Sequence, residues 1–173
     1  MYGRLVEQAR WPGFYRDWGI PDTLDGRFEM IVLHVLLVLR RLRREGKEGS
    51  ALGQVVFEVM IDDMDRSLRE MGVGDLSVGR RVKAMAQAFY GRAAAYDMAI
   101  ESDDDALGEA LRRNVFGTVG PRPEQLAALV GYVRGEAAAL DTWPASELLA
   151  GGVCFSRATA HDPAEKKDGQ KET

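Results

Sequence analysis

Apolar side chains recur at intervals of three and four over most of this chain, the spacing that lines one face of a helix. From Ala51 onward, Leu52, Val55, Val56, Val59, Met60, Met64, Leu68 and Met71 form one such stripe, which Gly72 and Gly74 end. Val82, Met85, Ala86, Phe89, Tyr90, Ala93, Tyr96 and Ile100 form a second, on a helix predicted from about Leu76 to Ile100. Pro123, well tolerated in a first helical turn, opens a third that carries Leu126, Leu129, Val130, Val133, Ala137 and Leu140 and ends near Asp141. One segment has no polar face at all: Met30 to Leu39, MIVLHVLLVL. A membrane span needs roughly 17 to 25 such residues, so this shorter run predicts the central helix of a core folded in water.

That central helix should start at a cap on Thr23 or Asp22 and run to about Arg44, where Arg40, Arg41, Arg43 and Arg44 suit the negative pole of its dipole. Gly46 and Gly49 are expected to break it. Residues 1 to 18 should form one or two short helices before a turn at GIPD. Ser102 reads as an N-cap, with Asp103, Asp104 and Asp105 in the first turn of a helix reaching about Phe116. GTVGPRP is then a turn, and a short helix from Pro144 to Ala150 is stopped by Gly151 and Gly152. Nowhere do β-branched residues alternate with period two. The prediction is an all-α fold, an irregular or orthogonal bundle of about six to eight helices, as a single domain over residues 1–156. Residues 157–173, RATAHDPAEKKDGQKET, carry charge without large apolar groups and are expected to be a disordered polar tail.

Composition narrows the function classes. A length of 173 residues suits one core, and 46% apolar with 29% charged residues excludes a wholly disordered, collagen-like or membrane-spanning chain. A net charge of −4 gives no global attraction to nucleic acid, so no nucleic-acid partner is expected. The single cysteine, Cys154, cannot form an internal disulfide, and the N-terminal MYGRLVEQARWPGFYRDWGI lacks a signal peptide's apolar core, so a cytoplasmic location is expected.

Chemistry-bearing patterns are few. Glu58, Asp62, Asp63, Asp65 and Glu70 share a helix, but a di-metal bundle site also needs Glu/His pairs three residues apart on two helices. His34 has Ile31 and Leu37 at that distance, so no metal and no cofactor is expected. His34 inside the apolar run is either a core histidine with its hydrogen bonds satisfied or, with Tyr90, a donor into an apolar pocket for a quinone or lipid. GVGDLSVGRR has no preceding strand and reads as an interhelical turn rather than a phosphate loop. The cluster RRLRREGK, residues 40 to 47, either complements the helix dipole or meets an anionic lipid surface. Trp11, Phe14, Tyr15 and Trp18 either pack on the core or form an exposed patch for a partner.

Three segments together resemble the ubiquinol-cytochrome c chaperone family: RWPGFYRDWGIPDTLDGRFEMIVLHVLLVLRRL, FEVMIDDMDRSLREMGVGDLSVGRRVKAMAQAFYGRAAAY and the Pro-led helix after them, about residues 2 to 140 in all. The chain is similar to the short bacterial form, without a long N-terminal targeting extension. The resemblance implies a non-enzymatic assembly factor for the cytochrome bc complex that binds cytochrome b or another subunit of it. The expected location stays cytoplasmic, with a peripheral site on the cytoplasmic face of the inner membrane as the alternative. Carried over by motif, the partner-binding positions are Asp62, Asp65, Arg69 and Glu70 in DDMDRSLRE, with Lys83, Tyr90 and Arg92 in RRVKAMAQAFYGR. Met60, Met64, Met71 and Met85 would add adaptable apolar surface for a client, or serve as core.

Overall fold

The run without a polar face becomes the axis of the molecule. In the computed structural model, which describes residues 1–117 and 119–156, helix α3 spans Leu24–Leu42, and every residue from Phe28 to Val38 is buried. The Thr23 hydroxyl caps it, accepting a hydrogen bond from the Gly26 amide at 3.1 Å. Such a helix must be covered on all sides, and the remaining elements do this. Helices α1 (Tyr2–Ala9) and α2 (Pro12–Arg16) precede it, and α4 (Gly46–Glu70) and α5 (Asp75–Glu101) follow as a long hairpin. Then come α6 (Asp104–Leu111), a π-helical turn at Arg112–Phe116, α7 (Pro123–Thr142) and α8 (Ala145–Leu149). Helices α1, α4, α5 and α7 and the π turn all pack against α3. Among the described residues there is no strand, so the fold is all-α. The predicted tail, residues 157–173, lies outside the described residues.

Helix boundaries follow local chemistry, with two corrections to the reading above. Asp103, not Ser102, caps α6, its carboxylate accepting from the Ala106 amide at 2.9 Å. Gly46 does break the chain after a short 3-10 turn at Arg43–Glu45, its φ of +64° being a conformation that only glycine adopts readily. Gly49, by contrast, lies inside α4, where a Cβ would meet the Leu42 carbonyl oxygen at 2.0 Å. Its missing side chain lets α4 start directly beside the end of α3. The basic cluster is also resolved by this elbow. Arg40 pairs with Glu101 and Asp141, Arg43 with Asp97, and Arg44 with Asp141, while Arg41 pairs with Glu45 and donates to the carbonyls of Leu140 at 2.9 Å and Trp143 at 3.1 Å. These arginines fasten the end of α3 to α5 and α7.

The aromatic N-terminal group packs inward. Phe14 is fully buried, edge-on to Trp11, Trp18 and Tyr132, and Trp18 is nearly so. The ring of His34 lies in the same cluster, between Phe14, Tyr132 and Phe155. Its Nδ1–H donates to the Met30 carbonyl at 2.7 Å, which leaves Nε2 to accept from the Tyr132 hydroxyl at 2.7 Å. That hydroxyl in turn accepts from the Gln8 amide at 3.0 Å. The histidine is a satisfied core group. The C-terminal strap Val153–Ser156 closes this region, held by Arg4 on the Val153 carbonyl, Gln8 on the Ser156 carbonyl, and the buried Glu136 carboxylate on Ser156.

Burial pushes the His34 imidazole down to about 4, with the Met30 carbonyl opposing it. The folded state therefore holds it neutral while the unfolded chain protonates near pH 6.5, so the contribution is complete above pH 6.5 and is lost as pH falls toward 4. Between those limits His34 should remove on the order of 3 kcal/mol of stability, at about 1.4 kcal/mol per pH unit. Glu29 and Glu136 are held above the usual carboxylate range by burial and act in the opposite sense, equally in any His34 variant. Denaturant unfolding at stepped pH should give a wild-type curve steeper than that of His34→Gln. Parallel curves would refute the neutral, buried histidine.

Candidate functional site

The hairpin of α4 and α5 presents two different surfaces, and the residues singled out by motif divide between them. On α5, Arg81, Ala84, Met85, Ala88 and Arg92 face an open cleft. At 100° per residue, Lys83 and Tyr90 point to the opposite side of the same helix. Tyr90 is 60% exposed and rests on Phe57 and Phe89, so it is a surface aromatic rather than a member of the apolar face. Lys83 is exposed. On α4, Asp62 and Glu70 are exposed, whereas Asp65 and Arg69 form an ion pair that Arg69 extends to Asp75 at 2.5 Å. That triad joins the end of α4 to the start of α5 across the Met71–Gly74 turn.

The structure does not bring His34 and Tyr90 together. His34 is sealed in the core with both nitrogens engaged, and Tyr90 lies over a shallow depression of about 180 Å³ between Leu39, Gly53 and Phe57. The methionines divide as well: Met60 and Met64 are buried, Met85 lines the cleft and Met71 is half exposed at the hairpin turn. Among the described residues no group of three or more His, Cys, Asp or Glu side chains is placed to hold a metal ion.

The cleft itself has a volume of about 800 Å³ and lies between the start of α3, α5 and the π turn. Phe28, Met85, Val115 and Phe116 give it an apolar wall, and Leu24 and Val119, each 48% exposed, stand at it as well. Arg92 enters from α5 and forms a bidentate ion pair with Glu29, one bond being 2.6 Å long. Burial raises the Glu29 carboxyl above its ordinary value, and the Arg92 guanidinium partly offsets this. Arg92 is thus the one residue of the motif set that the fold places in this cleft. Sequence reasoning did not weigh Glu29, Arg81, Arg113 or Asn114, which share it. The available signal was Glu29 itself, an acid next to a fully apolar run, where a carboxylate needs a cation.

Removing Arg92 strands a buried carboxylate. Breaking a dry pair costs roughly 3–5 kcal/mol; Arg92 retains 20% of its side-chain exposure, so Arg92→Ala should cost about 2 kcal/mol. The double variant Glu29→Leu with Arg92→Met should recover to within about 1 kcal/mol of wild type, since it removes both charges at similar volume. Chemical denaturation of the wild type, Arg92→Ala, the single variants Glu29→Leu and Arg92→Met, and the double variant checks this. Additive losses in the double variant would show that the two side chains do not depend on each other.

Known proteins with this sequence pattern and fold are informative. A ubiquinol-cytochrome C chaperone family model matches residues 16–156. The chain is 32% identical over 170 residues to ubiquinol-cytochrome-c reductase complex assembly factor 1 of Xenopus laevis, covering 98% of this chain and 82% of that protein. It is 33% identical over 152 residues to the Mus musculus protein of the same name, covering 88% of this chain but only 52% of that one. Thus it spans most of the frog protein and about half of the mouse one. In three dimensions it superimposes on the crystal structure of the Cbp3 homolog from Brucella abortus with a TM-score of 0.82 and 36% identity, over 91% of this chain and 87% of that one. The match runs from α2 through the C-terminal strap and so takes in the central helix, the hairpin and the cleft: the chain belongs to the ubiquinol-cytochrome C chaperone family.

Proposed function

We propose that this protein is an assembly factor of the ubiquinol-cytochrome c reductase complex and that it works without catalysis, by holding the cytochrome b subunit through its helical surface. One observation carries the reading: family match, sequence identity and backbone superposition all extend over nearly the whole described fold, not over a single motif. The surface chemistry supports binding over reaction. The only histidine among the described residues is neutral and fully hydrogen-bonded in the core, and Cys154 lies within the C-terminal strap, near Arg4, Glu7, Gln8 and Trp11 of the N-terminal segment.

Client contact is assigned to the outer side of the α4–α5 hairpin. Tyr90 and Lys83 lie one above the other there, seven residues apart, while Asp62 and Glu70 supply acidic groups on α4. An exposed aromatic in line with a cation, with exposed acids further along the neighbouring helix, is a composition that suits a protein-binding surface. Asp65 and Arg69 hold the turn between the helices, and so keep the two helices in register for that contact. No helix among the described residues is long and apolar enough to cross a membrane, so membrane contact would be peripheral. With the arginines of residues 40 to 44 committed to internal ion pairs, the basic cluster is a poor anchor for it.

The test is capture in cells that make the complex. Tagged full-length protein, crosslinked and purified, should retain cytochrome b, and deletion of its gene should lower cytochrome b content. Lys83→Glu with Tyr90→Ala should reduce capture about tenfold, the loss of one or two interface anchors, with a melting temperature near wild type. Absence of cytochrome b from both assays would overturn the assignment of client. Capture unaffected by the double variant would move the contact away from this face.

A further inference from the structure

We propose that the cleft between α3, α5 and the π turn is a binding site for a small anionic amphiphile, a single acyl chain ending in a carboxylate or phosphate. This rests on the cleft alone and is independent of the client assignment. Its volume of about 800 Å³ falls within the roughly 300–1,000 Å³ of small-molecule sites. Its inner wall is apolar, through Phe28, Met85, Val115 and Phe116, and continues onto the exposed side chains of Leu24 and Val119.

The charge in the cleft is cationic in excess. Three arginines, Arg81, Arg92 and Arg113, face two acids, Asp25 and Glu29: Glu29 answers Arg92, while the side chains of Arg81 and Arg113 have no ion pair or hydrogen bond among the described residues, in a protein whose net charge is −4. This contrasts with the elbow at the end of α3, where the arginines are matched by acids and carbonyls. Two guanidinium groups beside an apolar wall match an anionic head joined to a hydrocarbon chain, because the planar fork binds carboxylate and phosphate oxygens in pairs.

Two further features converge on the same wall. It is built by the π-helical turn Arg112–Phe116, a less favourable hydrogen-bonding pattern that is found preferentially at functional sites. Within that turn, Asn114 lines the cleft beside the buried Tyr96 hydroxyl, the two side chains facing each other, and its side-chain nitrogen makes no well-formed hydrogen bond. A buried donor left without a well-formed bond beside a cavity is a group that a polar ligand head would satisfy. An acyl chain also fits the walls better than an extended peptide. The walls are helical and offer no strand edge, so a peptide would bury its backbone groups unpaired, whereas a hydrocarbon chain has none to satisfy.

The experiment is calorimetric titration of the full chain, below the micelle concentration, with laurate, lauroyl-lysophosphatidylglycerol, the zwitterionic lauroyl-lysophosphatidylcholine and uncharged monolaurin. Laurate, the lysophosphatidylglycerol or both should bind at one site, and the zwitterionic and uncharged probes at least about tenfold more weakly. Laurate alone would mark the head as a carboxylate, the lysophosphatidylglycerol alone as a phosphate. Arg81→Gln and Arg113→Gln should each weaken binding about tenfold, and Ala88→Phe, which fills the cleft, should abolish it. Arg122→Gln, an exposed arginine paired with Glu124 outside the cleft, is the control and should change nothing. Melting temperatures keep loss of binding separate from loss of fold, and the Asn114 side-chain amide resonance should shift on binding in the wild type. Failure of both anionic probes to bind would overturn the proposal. So would binding indifferent to the arginines and to Ala88→Phe, or a cleft filled by an acidic helical client peptide that no acyl probe displaces.

Discussion

A helix that is apolar on every side cannot rest on a surface; it has to be surrounded. That constraint, set by the ten residues Met30 to Leu39, organises everything else in this protein. Helices α1, α4, α5 and α7 and the π turn all lie against α3, and the aromatic cluster of α1 and α2 fills what remains. Each fully buried large side chain of α3 contributes about 1.5–3 kcal/mol, so its burial is a principal source of stability. The polar groups that ride inward with it must be matched in turn. His34 takes its partners from Met30 and Tyr132, and Glu29 takes Arg92.

The disposition of charge follows from the same requirement. Where α3 ends and the chain turns sharply at Gly46, four arginines would be an exposed basic patch if the chain were extended. In the folded protein they bind acids on α5 and α7 and the carbonyls that close α7, so they act as fasteners between elements distant in sequence. At the other end of α3 the balance differs. Among the described residues only one of three arginines in the cleft has an acidic partner, and the wall opposite is a π turn whose Asn114 side-chain nitrogen lacks a well-formed hydrogen bond. Unmatched polar groups persist in a native fold where something other than stability retains them.

Helix α5 separates the two surfaces. Its inner side, at Arg81, Ala88 and Arg92, belongs to the cleft, while Lys83 and Tyr90 look outward over the hairpin. A holding protein built this way can offer a partner-binding face and a small-molecule cleft on a single rigid element.

The sequence by itself determined the fold class, every long helix and the central position of α3, because these depend on periodicity and on the absence of a polar face, which are local properties. It also determined the family, through motifs that run in order along the chain. It misplaced the start of α6 by one residue and put a break at Gly49, since caps and close approaches depend on which backbone atom comes near. Sequence spacing alone could not say whether Tyr90 belonged to the core or the surface, because a helical stripe is only as wide as the neighbour that covers it. Tertiary structure alone decided the partners of Arg40 to Arg44, the enclosure of His34 and the convergence of Arg81, Arg92, Arg113 and Asn114 on one cleft. Such contacts join residues from different elements, and a one-dimensional pattern carries no term for the distance between them.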